Sequence, residues 1–172
     1  MPNSLSTDIR ASIQWLFQES LELSSVSDSS KLEYAQSTAN GTGDDQADLI
    51  WHDQRLVPAS SEDDLDLGEL TSTIFGNQLT IELAKVKALL IINTSSVAGD
   101  VLHVGGAGSA AFNGPFNADD DAVMEVGPGD SLLVSCKMEG WPVVDTSGDV
   151  LRIANPGASP ITYRIAIVGT SS

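Results

Sequence analysis

Cations, histidine, cysteine, aromatic residues and long apolar runs are all scarce in this 172-residue chain, and each scarcity removes a class of function. Eight Lys and Arg stand against 24 Asp and Glu, a formal net charge of −16. Binding nucleic acid requires cations that neutralise phosphates, so this balance argues against a nucleic-acid partner. The same electrostatics argue against an anionic membrane surface as partner. No apolar run approaches the roughly 20 residues that a membrane-spanning helix needs. The opening MPNSLSTDIR lacks a basic region followed by an apolar segment, so no secretory signal is expected. Cys136 is the single cysteine, which rules out an intrachain disulfide and fits assembly in a reducing cytosol. His52 and His103 are the only histidines, too few for a three-His zinc site in one chain.

What is present is the punctuation of a β protein. Residues 84 to 106, AKVKALLIINTSSVAGDVLHVGG, hold the apolar run Ala88–Ile92, polar Asn93–Ser96, and a second run Val101–Val104 stopped by Gly105 and Gly106. Two short β-branched runs with turn chemistry between and after them predict consecutive buried strands. The same grammar returns in Leu49–Val57 (stopped by Pro58), Leu79–Leu83, Ala122–Val126, Ser131–Ser135, Val150–Ala154 and Ile161–Val168. Gly127-Pro128-Gly129-Asp130 and Asn155-Pro156-Gly157 are strong turns between them. Trp141-Pro142 reads as an edge segment, because proline cannot donate to a central ladder. Seven or eight short strands at about 10-residue spacing, without a long helical pattern, predict an all-β antiparallel sandwich of jelly-roll type.

The first 40 residues differ. Ile13, Trp15 and Phe17 alternate with Ser12, Gln14, Leu16 and Gln18, and Leu21 and Leu23 continue the alternation, which favours a strand over a helix. Val26–Ser30 reads as the turn and Lys31–Tyr34 as the returning strand. A lone two-stranded hairpin is marginal in water, so this one must pack on the main domain or on another chain. The expected organisation is an N-terminal hairpin or extended arm over residues 1–40 and a β-sandwich over residues 41–172.

Candidate chemistry is thin. His52 and Asp53 are adjacent on a strand and point to opposite faces, so they form no dyad. His103, between Leu102 and Val104, reads as a core or interface histidine. Cys136 beside Lys137 reads as a small buried residue, with no paired base in sequence. Val104-Gly105-Gly106-Ala107-Gly108 follows a strand, but Phe112-Asn113-Gly114-Pro115 comes next where a dinucleotide site needs a helix, so it reads as a surface loop. The Gly- and Asp-rich loop 39–48 lacks the spacing of an EF-hand. Asp119, Asp120 and Asp121 form the densest carboxylate run. A solvated loop is the plainer reading there, and a weak calcium contact the other. No other metal and no cofactor is expected.

The order of motifs adds a resemblance. WHDQR at 51–55, DLDL at 64–67, FGN at 75–77, VKALLI at 86–91, VLHVGGAG at 101–108, FNGPF at 112–116, VGPGDSLLV at 126–134 and GWPVVDTSGDVLRIANPGASPITYRIAIVG at 140–169 follow one another. From about Gly41 to Gly169 the chain resembles a family of small virion structural proteins of tailed bacteriophages. That resemblance implies no catalytic residues and a binding or scaffolding role in the virion, foremost as a capsid-decorating or cement protein that reinforces the head. Its partners would be the major capsid protein and further copies of itself, with a trimer favoured by analogy with three-fold capsid positions. Trp15, Phe17 and Leu21 of the arm, with Trp51 and Arg55, are the expected interface residues. The alternative is a tail or fibre component that binds a host glycan through a shallow aromatic site of Phe112, Phe116 and Trp141. A small β-fold hydrolase ranks below both, because neither histidine has an assignable partner.

Overall fold

The computed structural model describes residues 4–74 and 76–172, and among them there is no α-helix. The chain opens with two long strands, β1 (Thr7–Ser20) and β2 (Ser25–Asn40). Next come β3 (Gln46–Ala47), β4 (Leu49–Val57), β5 (Ser61–Asp66), β6 (Leu70–Ile74), β7 (Asn77–Ile81) and β8 (Lys85–Asn93). The remainder is β9 (Leu102–Gly105), β10 (Val123–Val126), β11 (Ser131–Ser135), β12 (Trp141–Pro142), β13 (Val150–Asn155) and β14 (Ile161–Thr170). Single 3-10 turns lie at Gly108–Ala110 and Gly114–Phe116. Phe75, in the predicted FGN turn, falls outside the described residues.

Two antiparallel sheets form the sandwich. One has the strand order β11-β8-β14-β4, with β12 pairing β8 further along. The other has the order β10-β9-β13-β5. The predicted neighbours β8 and β9 are both strands, yet they belong to different sheets. Alternation turns one set of side chains inward from each sheet. Trp51, Val57, Leu89, Ile91, Ile161, Tyr163, Ile165 and Ile167 meet Leu65, Leu102, Val104, Val126, Leu151 and Ile153 in one buried cluster. The fold is the all-β antiparallel sandwich that the strand spacing predicts.

Buried polar groups pin the loops. Asn93 is fully buried and donates through Nδ2 to the carbonyls of Asp100 (2.7 Å) and Val126 (3.1 Å). Asn155 donates to the carbonyls of Val57, Pro58 and Ser159, while its Oδ1 accepts from the Gly157 amide. Between the sheets, Arg55 donates to Asp63 through Nε (2.6 Å) and Nη2 (2.8 Å), and the buried Tyr163 hydroxyl donates to the same carboxylate at 2.8 Å. Burial alone would raise the Asp63 pKa, but hydrogen bonds from Arg55 and Tyr163 outweigh it and hold the carboxyl below its ordinary range.

The N-terminal arm is a hairpin, as its alternation predicts, but the chain reverses earlier than expected. Leu21 N–H donates to the Ser24 carbonyl, and the register runs unbroken from Thr7 opposite Thr38 to Ser20 opposite Ser25. Ser25–Ser30 has turn-favouring composition, yet it is strand. Pairing Ile13 with Leu32 and Ala11 with Tyr34 puts the apolar residues of both strands on one face, which a turn at residue 28 would not do.

Candidate assembly surface

Cross-strand partners in an antiparallel ribbon point the same way. One face of the β1–β2 ribbon therefore carries Ile9, Ala11, Ile13, Trp15 and Phe17 with Tyr34, Leu32 and Val26. The other face carries Asp8, Arg10, Ser12, Gln14, Gln18, Ser37, Glu33, Lys31, Ser29 and Ser27, with Leu16 and Ala35 its main apolar members. Water meets both faces: Trp15 is 39% exposed, Phe17 61%, Ile13 and Leu32 68% each. Trp15 Nε1 donates to Asp28 at 3.0 Å, which holds the indole along the ribbon. From residue 12 to the turn the ribbon runs roughly 30 Å at strand rise. Leu21 and Leu23 sit at its tip, Leu23 99% exposed.

At its base the apolar face turns onto the sandwich. Leu5 and Ile9 pack against the small cluster of Ala47, Ala88 and Val168. Gln36 and Thr38 are buried there, and Thr7 and Thr38 share a hydroxyl hydrogen bond of 2.6 Å. Beyond this contact the ribbon and the outer face of the β11-β8-β14-β4 sheet border a cleft of about 860 Å³, whose sheet wall is Ile50, Ala88, Leu90, Leu133, Ala166 and Val168 with Ser131.

The two outer faces of the sandwich carry different chemistry. On the β11-β8-β14-β4 sheet the outward positions are Ile50, His52, Gln54, Leu56, Ala88, Leu90, Ile92, Ser131, Leu133, Ser135, Thr162, Arg164, Ala166 and Val168, with Lys85 and the buried Lys87 beyond a bulge in β8. None is a carboxylate, in a chain with 24. The other sheet turns Glu62, Asp64, Asp66 and Glu125 outward, with Arg152 among them donating to Asp64 at 2.7 and 2.8 Å and pairing with Glu62 at 2.8 Å. His103 lies on this acidic face, part-exposed and 3.5 Å from Glu125, rather than in the core.

Sequence-predicted site residues divide accordingly. Trp15, Phe17 and Leu21 are exposed on the ribbon. Trp51 is not available as an interface residue: it is 2% exposed, because its strand position faces the opposite sheet, and its Nε1 donates to the Thr71 carbonyl at 2.9 Å. Arg55 faces inward on the same strand and is occupied by Asp63, with Asp53 at 3.3 Å. The proposed aromatic platform is also dismantled. Phe112 and Phe116 are buried in the core, and Trp141 packs against Gly114, where an added Cβ would come within 2.5 Å of the tryptophan side chain. Asp119, Asp120 and Asp121 are exposed. Asp119 accepts from the Asp121 amide and Asp120 accepts from Asn113, and no group of three potential metal ligands is gathered among the described residues. Cys136 is part-buried.

Sequence reasoning missed Leu32, Val26 and the sheet residues Leu90, Leu133 and Ala166. The signal for the first two lay in the alternation of β2, masked by serine; for the sheet residues it lay in Leu-rich β8, whose apolar residues fall on both faces. Compared with known proteins, the sequence matches no protein-family model and no curated protein.

Proposed function

We propose that this chain is a non-enzymatic structural protein of a tailed-phage virion, a capsid-decorating protein whose role is mechanical. The observation that carries the reading is an apolar β-ribbon standing out from a sandwich whose other outer face is dense in carboxylates. A two-stranded ribbon is barely stable alone, and its open edges lack proline and bulges, the devices that blunt solvent-facing strands. Such an element is suited to burial in a larger assembly. Buried between neighbouring members of a decorated shell, whether capsid subunits or further copies of this chain, its apolar area opposes their separation, while the carboxylates face solvent or basic patches on the capsid protein. The glycan-binding reading depends on an aromatic surface, and Phe112 and Phe116 supply none.

Immunogold electron microscopy of particles from the source lysate tests this directly. Dense label over the heads is the expected result, and label confined to a tail or absent from particles overturns the decoration reading. Purified protein should also cosediment with assembled capsids and not with free capsid protein.

A further inference from the structure

We infer that the apolar face of the ribbon docks on the carboxylate-free outer face of the β11-β8-β14-β4 sheet of a second copy of this chain. This deepens the assembly reading by naming the ribbon's partner, and it is tested on purified protein without capsids.

Three observations converge on that occupant. The first is the contact already present within one copy. The ribbon's own base, through Leu5 and Ile9, packs on Ala88 and Val168 of this sheet face, so the chain itself shows what kind of element the face accepts. The same face continues through Leu90, Leu133, Ala166 and Ile50, and the same ribbon continues through Ile13, Trp15, Phe17, Leu32 and Tyr34. Within one copy only Leu5–Ser12 of the ribbon border this face, and Ile13, Trp15, Phe17 and Leu32 beyond them stay 39 to 68% exposed.

The second is charge. Two copies at −16 repel wherever carboxylates meet carboxylates, and this sheet face has none. The ribbon's apolar face carries only Glu19 and Asp28 along its projecting part. On this face Lys87 is buried and donates to the Gly43 and Met138 carbonyls, which leaves Arg164, held among the described residues by the Gln54 side-chain oxygen at 3.1 Å, with Lys85 farther along β8.

The third is size. Six side chains on the ribbon face, 39 to 68% exposed, present on the order of 600 Å², close to the roughly 800 Å² per partner of a stable interface. The ribbon's free length of roughly 30 Å also exceeds the roughly 15–20 Å width of four strands, so it can cross the sheet. Reciprocated, the contact closes a two-fold dimer; run head to tail, it closes a ring such as a trimer.

Sedimentation of the full chain between about 1 and 100 µM should show a defined oligomer, within the affinity range such an area supports. Leu133→Glu places a carboxylate on the bare face and should weaken association at least about 100-fold, while far-UV circular dichroism and melting stay those of the parent. Trp15→Ala with Phe17→Ala should do the same from the other side of the contact. A photo-crosslinking phenylalanine at position 17, in a mixture of isotope-labelled and unlabelled copies, should link to peptides of β8, β11 or β14 of the other copy. A monomer throughout, association untouched by Leu133→Glu, or crosslinks confined to ribbon on ribbon would each overturn the inference. Capsid binding by a monomer would overturn it while leaving the decoration reading standing.

Discussion

On β5, Asp63 and Asp64 are neighbours in sequence and opposites in environment. Asp63 points between the sheets and is held by Arg55 and the Tyr163 hydroxyl, whereas Asp64 points to water and meets Arg152. The same split holds for whole faces. One outer face of the sandwich carries four of the chain's carboxylates, and the other carries apolar and small polar side chains with the cations Lys85, Lys87 and Arg164. A charge of −16 is therefore unevenly spread, and its distribution rather than its total says where contact can be made. Pairing on the acidic face is a matter of solvation, and pairing inside is a matter of stability.

That contrast can be broken most forcefully at Asp63. Asp63→Ala leaves the Tyr163 hydroxyl without its acceptor and Arg55 with only the longer contact to Asp53, and should cost about 2–4 kcal/mol in urea unfolding. Arg55 keeps some of its side chain in water, which places the effect toward the lower end. A loss no larger than that of Asp64→Asn would show that the interior cluster adds nothing special.

Acid should expose the same difference. Asp63 is held below its ordinary pKa in the folded protein, so its contribution is complete above the unfolded value of about 3.9 and is lost as pH falls through the lower folded value. Stability should fall on acidification below about pH 4, and Asp63→Asn should flatten that limb when urea midpoints are compared at stepped pH. An unchanged slope would assign the acid limb to other carboxylates.

The ribbon gives the next smaller effect on the fold. Trp15→Ala with Phe17→Ala should shift the calorimetric melting of the sandwich by less than about 0.5 kcal/mol, because exposed positions away from the core carry little of its stability. Loss of the sandwich transition would mean that the arm belongs to the domain. Smallest of all, Asp64→Asn should change stability by only about 0.3 kcal/mol, the low end of the range of exposed ion pairs, and the change should shrink further in high salt.

Much of this architecture is legible along the chain. Alternation in Ile13–Phe17 and in Leu79–Ile81, the apolar run of β8, and the turns at Gly127–Asp130 and Asn155–Gly157 mark strands and reversals because strand side chains repeat every two residues. The arm's hairpin is legible in the same way, but its turn is not. Serine favours turns locally, and register across 14 paired residues overrode that preference. Candidate site residues were harder still. Trp15 and Trp51 both sit in alternating strands, and one lies on a ribbon in water while the other lies 2% exposed in the core.

The sequence by itself determined that the protein is all-β, that Thr7–Asn40 form a hairpin, and that its charge is acidic, because periodicity and charge are local properties. Only the tertiary structure decided that Trp51, Phe112 and Phe116 are interior. It also decided that Asp63 faces in while Asp64 faces out, and that one sheet has an outer face free of carboxylates. Those outcomes depend on which sheet each strand joins and which face it turns to its neighbour, and that choice is made by contacts between residues as far apart as Asp63 and Tyr163.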